Sequence, residues 1–305
     1  MSVKLSVVLA TRNEEANIGQ CLESVRGIAD EIVVVDEESE DKTSDIAKKF
    51  GARVYSVKHE QMFHKSKQKA IDLATGEWIL QLDADEKATP ELSKEIKSLI
   101  NMTNEEIVEY EMHQSLKNPK YKLFKRHEKL IKEREGKLTS GSESFKARRG
   151  KDAGQIVAFF VPRRNYFLGR PLIHAGVYPD GVIRLIKRKK ARFPSKSVHE
   201  LMEIDGEVGW LFNDLEHNDS PTFNRYLERA NRYTDLTAKE LEESGVPVNY
   251  WILFKHSFII PAGRFFSLYI IHKGFLDGMR GFVWSLFSAL HFPLAYFKYW
   301  QSVKK

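Results

Sequence analysis

Trp78-Ile79-Leu80-Gln81-Leu82-Asp83-Ala84-Asp85-Glu86 is an apolar run that ends abruptly in three carboxylates separated by one alanine. The run has the length and character of a buried strand. Carboxylates crowded at a strand end repel one another, so the pattern calls for a cation. Hard divalent ions such as Mg2+ or Mn2+ accept one or two protein carboxylates and keep sites open for phosphate oxygens. The stretch therefore predicts a strand whose carboxyl end holds a metal-bound nucleotide.

The preceding chain supplies the context. Residues 5–10 are a short apolar run followed by polar Thr11-Arg12-Asn13-Glu14-Glu15. Ile18, Cys21, Leu22 and Val25 recur at helical spacing over 17–25, and 31–36 is a β-branched strand ending in Asp36. Asp41-Lys42-Thr43-Ser44-Asp45 offers capping residues for a helix over 46–50, 52–57 reads as a third strand, and 65–74 as a helix closed by Gly76. Strands alternating with helices predict an α/β domain, a Rossmann-like, mostly parallel sheet flanked by helices. Such sheets bind ligands at the carboxyl ends of their strands. Asn13, Asp36 and Asp83 all lie just beyond those ends.

Three ordered motifs, Ser-Val-Val-Leu-Ala-Thr-Arg-Asn-Glu-Glu from Ser6, Val-Val-Val-Asp from Val33 and Leu-Asp-Ala-Asp-Glu from Leu82, resemble the nucleotide-sugar domain of inverting glycosyltransferase family 2, with its GT-A fold. The resemblance implies that Thr11, Asn13 and Glu14 line the nucleotide pocket and that Asp36 accepts hydrogen bonds from the base. It also implies that Asp85 ligates the metal bridging the diphosphate, with Asp83 against the ribose or the metal. Lys65 joins the candidate donor contacts. The chain departs from the family after Asp36, where small residues and glycine give way to Glu37-Glu38-Ser39-Glu40-Asp41-Lys42-Thr43, leaving Asp36, Ser39, Asp41 and Thr43 on pattern. Farther on, the segments from Arg163 to Arg170 and from His174 to Asp180, then Arg184-Leu185 and Val198-His199-Glu200, resemble a subgroup that adds sugars to lipopolysaccharide core or other lipid-linked glycans.

An inverting transfer needs a base for the acceptor hydroxyl and a Lewis acid for the departing diphosphate. Glu200 is the preferred base and His199 a metal or diphosphate contact; Asp180, in an exposed loop with Pro179 and Gly181, is the second candidate base. Of Arg163, Arg164, Arg170 and Arg184, the candidates for clamping phosphate are Arg164 and Arg170.

At 305 residues and 42% hydrophobic, the chain can bury one catalytic domain, residues 1–240, with an appendage. Residues 115–153, rich in charge and then in Gly and Ser, read as an inserted flexible loop. A charge run with few aromatics is a solvated face, so no nucleic acid is expected. The lone Cys21 fits a buried thiol in a reducing cytoplasm, and the N-terminal apolar run is too short for a signal peptide.

Residues 247–305 differ in kind. They carry seven Lys or Arg against one acid, Asp277, which accounts for the whole net charge of +6, and 16 of the chain's 35 aromatic residues. Rings and cations both favour an anionic headgroup region. The longest uncharged stretch, 281–297, falls short of the roughly 20 residues a spanning helix needs, so short amphipathic helices on one leaflet are expected. Trp284 and Phe287 are expected among the inserted rings, and a chain ended near Ser244 is expected to be soluble and still bind donor. Packing of the rings on each other or across a homodimer is the alternative.

The sequence thus predicts a metal-dependent transfer, using Mg2+ or Mn2+, from a nucleotide-diphosphate sugar to a lipid-linked acceptor. The enzyme is expected in the cytoplasm, attached peripherally to the cytoplasmic face of the inner or plasma membrane. Transfer to a polyprenyl phosphate, and a non-catalytic nucleotide-binding membrane adaptor, are the alternatives.

Overall fold

The computed structural model describes residues 3–60, 62–138, 154–193 and 202–304. The chain forms two units, Met1–Arg163 with Pro179–His217, and Arg164–Tyr178 with Asn218–Lys305.

The first unit opens with β1 (Leu5–Thr11), α1 (Ile18–Val25), β2 (Glu31–Asp36), α2 (Thr43–Lys49), β3 (Arg53–Ser56), α3 (Phe63–Leu73) and β4 (Trp78–Leu82). Every expected strand and helix of this stretch is present, β2 and β4 with the expected ends and the others with ends shifted by no more than three residues. β3, β2, β1 and β4 pair in parallel, in that order. All five residues of β4 are buried, as a parallel strand covered on both faces requires. The registers Thr11↔Asp36 and Leu9↔Leu82 bring the carboxyl ends of β1, β2 and β4 side by side. Gly76 is needed for this, because a Cβ there would lie 2.7 Å from the Ser6 backbone nitrogen.

The chain continues through β5 (Glu86–Ala88), α4 (Pro90–Leu99), α5 (Asn104–Lys117), α6 (Tyr121–Leu138), β6 (Ile156–Phe167), β7 (Arg170–Pro171), β8 (Gly181–Lys187), β9 (Ala191–Arg192), β10 (Glu203–Ile204), β11 (Glu207–Trp210) and β12 (Leu215–Ser220). β8 extends the sheet antiparallel to β4, and β6 follows antiparallel to β8. Antiparallel additions make the sheet mixed. The expected loop over 115–153 is instead helical as far as Leu138. Thr103 and Glu106 close a capping box at the start of α5, and α6 buries Phe124 against Trp210, with ring centroids 4.6 Å apart. Residues 139–153 lie outside the described residues.

The second unit contains α7 (Phe223–Glu243), α8 (Tyr250–Phe254), α9 (Ile260–Phe266) and α10 (Gly278–Val303), with π-helical turns at Lys255–Ile259 and Ser267–Ile271. Its boundary differs from the expected break at 240: α7 packs along α10, where Ala238, Tyr296 and Tyr299 form one buried cluster. Phe167, Leu172 and Tyr226 form another, against which Val283, Trp284 and Phe287 pack. Trp284 and Phe287 are therefore half-buried packing residues, and a chain ended near Ser244 would strip this cluster of its cover. α10 runs for 26 residues, longer than the short helices expected, and no helix among the described residues is long and apolar enough to cross a membrane.

Candidate functional site

The loops after β1 and β2 lace together. The Asn13 backbone N–H donates to Ser39 Oγ at 2.9 Å, Glu14 N–H to Thr43 Oγ1 at 2.7 Å, and Glu15 N–H to Asp41 Oδ2 at 3.0 Å. Asn13 adopts φ +53°, a left-handed conformation that asparagine tolerates, and its side-chain oxygen accepts from Glu40 N–H. The on-pattern residues Ser39, Asp41 and Thr43 are thus the ones that shape the first loop. Buried Asp36 accepts from Ser39 Oγ at 2.6 Å, from Ser39 N–H at 3.1 Å and from Thr11 Oγ1 at 3.3 Å.

The end of β4 is built differently. Glu86 is fully buried and accepts from Asp83 N–H at 3.0 Å, closing the acidic turn. Arg184 Nη2 lies 2.6 Å from Asp83 Oδ2 and 2.6 Å from Glu86 Oε1, while Nη1 donates to Gln81 Oε1. Lys67 Nζ pairs with Asp83, and Arg163 Nη1 lies 3.3 Å from Glu86 Oε1. Burial works against charge on Asp83, but Arg184 and Lys67 outweigh it and hold the carboxyl well below the usual carboxylate range. Asp85 has a different partner, His217 Nε2 at 3.5 Å, which the antiparallel register His217↔Glu86 between β12 and β5 brings to it. Asp85 is also held low: burial opposes its charge and His217 prevails.

These contacts revise several sequence-level assignments. Lys65 pairs with Glu60, and Lys67, two residues on and on the other side of the helix, is the lysine at Asp83. Arg163 and Arg184, passed over in the sequence, anchor the acidic turn, whereas Arg164 and Arg170 fall in the second unit. Asp180 belongs to the first unit and is held bidentately by Arg163, Nε at 3.1 Å and Nη2 at 2.7 Å. His199 and Glu200 lie outside the described residues. His217 was missed: it ends the unremarkable run Asp214-Leu215-Glu216-His217, and only strand pairing reveals it.

Among the described residues no three metal-ligating side chains converge. Asp83 is committed to Arg184 and Lys67, which leaves Asp85 and His217 as a two-donor set. One carboxylate and one imidazole, with other positions left to phosphate and water, fit a divalent cation that carries a diphosphate.

Residues 6–157 match the family model for glycosyl transferase family 2. An uncharacterized glycosyltransferase of Rickettsia typhi is 40% identical over 103 residues, 34% of this chain and 35% of that protein. The chain thus spans about a third of the length of that relative. The lipopolysaccharide core biosynthesis glycosyltransferase LpsC of Rhizobium meliloti is 25% identical over 304 residues, 97% of this chain and 92% of LpsC. The glucosyl-3-phosphoglycerate synthase of Mycobacterium tuberculosis, solved with Mn2+, uridine-diphosphate and glucosyl-3-phosphoglycerate, is 28% identical over 28% of this chain and 34% of its own, with a TM-score of 0.25. The family match covers the segment that builds both acidic strand ends, and the chain belongs to glycosyltransferase family 2, its first unit a GT-A-type α/β domain.

Proposed function

We propose that this glycosyltransferase moves a sugar, with inversion, from a UDP-sugar to a lipid-linked glycan such as lipopolysaccharide core, at the cytoplasmic face of a membrane. The observation that carries the donor half is the Asp85–His217 pair at the end of β4, in line with the laced loop that presents Asp36. The acceptor half draws on the near full-length similarity to LpsC.

Thr11 and Ser39 fix the Asp36 carboxylate to accept from the imide N–H of a uracil ring. Asn13 and Glu14 shape the loop beside it. Asp85 and His217 would hold Mn2+ or Mg2+, the imidazole favouring Mn2+. Such a cation, when bound, neutralises charge developing on the departing diphosphate. Asp180, oriented by the Arg163 guanidinium, accepts the acceptor hydroxyl proton; Glu200 is the rival base, with His199 beside it in sequence.

On the second unit, Tyr250, Trp251, Phe254, Phe258, Phe266 and Ile271 are exposed, Trp251 and Phe258 each at 63%. Lys255, Arg264 and Lys273 interleave with them. Exposed rings in such number, with cations among them, suit an anionic lipid surface.

A thermal-shift screen of nucleotide sugars with and without Mn2+, followed by transfer to extracted core lipopolysaccharide, tests the reading. UDP-linked donors should give the largest Mn2+-dependent shift, and product should form on the lipid. Asp180→Asn should lower turnover by about 10^2-fold or more with donor KM retained. Active Asp180→Asn beside inactive Glu200→Gln would move the base to Glu200. Transfer to undecaprenyl phosphate alone would overturn the glycan acceptor.

A further inference from the structure

The turn carrying Asp180 is clamped by the helix that the sequence presents as a loop. Asp180 adopts φ +32°, a conformation that persists only where surrounding structure enforces it. The next residue, Gly181, donates its backbone N–H to His127 Nε2 at 2.9 Å. A Cβ on Gly181 would lie 2.2 Å from Trp210 Cη2, so the turn sits directly on the indole. Trp210 is fully buried, stacked on Phe124 and on Phe160 with centroids 4.6 and 4.8 Å apart, and its Nε1 donates to Glu128 Oε2 at 3.4 Å. Phe124, His127 and Glu128 occupy positions i, i+3 and i+4 of α6, one face of the helix. All three side chains meet the indole, His127 edge-on with ring centroids 6.2 Å apart, and His127 alone also holds the turn.

We propose that His127 is a positioning residue for Asp180, holding the turn through the Gly181 N–H and releasing it when the imidazole is protonated. The proposal rests on the reading of Asp180 as proton acceptor. To accept from Gly181, Nε2 must be unprotonated, which puts the ring proton on Nδ1. Two charged groups face the ring from the strands, Asp180 and Arg163; on its own helix Lys125 and Glu128 pair with each other at 2.9 Å. Burial pushes the imidazole below its ordinary range, Asp180 pulls it up, and Arg163 pushes it down. An imidazolium has no lone pair for Gly181 and sets a second cation beside Arg163 against the same carboxylate. Acidification therefore both loosens the turn and weakens the base.

The experiment compares His127→Gln, whose amide oxygen can replace Nε2 as acceptor, with His127→Phe, which keeps the bulk and cannot accept. With UDP-glucose and Mn2+ as probe and UDP release as readout, His127→Phe should lose about 10^2-fold in kcat with KM for UDP-glucose unchanged, the scale expected when a reacting group is misplaced. His127→Gln should keep most of the rate and lose the acid limb that titration of His127 gives the wild type. Amide exchange at Gly181, which needs no substrate, should quicken in His127→Phe and stay slow in His127→Gln. Equal rates and equal Gly181 protection in the two variants would overturn the proposal, as would an unchanged acid limb in His127→Gln. If melting shows His127→Phe unfolded, the pH profile and Gly181 exchange of His127→Gln decide alone. Full activity in Asp180→Asn would instead bring down the base assignment, whereas an inactive Asp180→Asn with a normal His127→Phe would remove only the clamp.

Discussion

At the end of β2, the Asp36 carboxylate is met by two hydroxyls and a backbone amide; at the end of β4, Asp83 and Glu86 are met by Arg184, Arg163 and Lys67. Neutral donors fix the direction of a carboxylate and leave its charge intact, which suits a reader of one N–H on a neutral ring. Cationic partners cancel the charge and rigidify the turn, so that Asp85, the one acid of the three directed to a histidine, is displayed on a neutralised base. The same residue type is held by neutral donors in one place and by cations in the other.

The largest test of that contrast is Arg184→Met. Removing Arg184 from this buried ion lattice takes away the one cation that Asp83 and Glu86 share and leaves them to Lys67 and Arg163, and urea unfolding should show a loss of about 3 kcal/mol. An unchanged midpoint would mean that the lattice is not structural. The lattice also sets the acid response. Asp83 titrates below its unfolded value, so its contribution is complete above about pH 4 and is lost as pH falls through the depressed folded value. Arg184→Met should blunt that acid loss.

Asp85→Asn comes next. At 100 times its dissociation constant a ligand stabilises by about 2.7 kcal/mol, and this variant should keep the metal-free part of the UDP effect while losing the Mn2+-dependent part. Asp36→Asn should weaken UDP binding with and without Mn2+. Identical responses from the two variants would erase the distinction between the strand ends. Ser39→Ala is the smallest change: losing one hydroxyl to Asp36 and to Asn13 N–H should reduce UDP affinity by about 1 kcal/mol, read by calorimetry.

The rings of the second unit divide in the same manner between exposed and packed. Trp251→Ser with Phe258→Ser should release more protein from anionic vesicles than Lys304→Ala with Lys305→Ala, whereas Trp284→Ser should lower the melting temperature through its contact with Phe167 and Tyr226. Equal release by Trp251→Ser and Trp284→Ser would sink the surface assignment.

Much of the first half of the fold is legible because β1 to β4 and α1 to α3 carry strong, clean periodicities, and the motifs sit where those periods break. The acidic turn is legible only in part. Arg163 and Arg164 are adjacent on β6, and in a strand neighbours point to opposite faces; nothing in the sequence says which one looks at Glu86. Lys65, Lys67 and Lys69 share a helix, and its phase selects Lys67. His217 reaches Asp85 through strand pairing between segments distant in the chain. α6 looks like a solvated loop because, among its described side chains, one apolar residue, Phe124, is buried and the other buried residue on that face, Glu128, is charged.

The division of the chain has a consequence for any attempt to take the protein apart. Residues 164–178 belong to the second unit but lie in sequence between two portions of the first, and the chain crosses between units at 163/164, 178/179 and 217/218. No single proteolytic nick can release either body intact, and deletion from the C-terminus removes α10 while leaving Phe167 and Leu172, its former partners, attached to β6 and its neighbour β7. The helical unit is therefore inherited as a fixture of the chain rather than as a detachable tail, and swapping it between relatives calls for exchange of two segments at once.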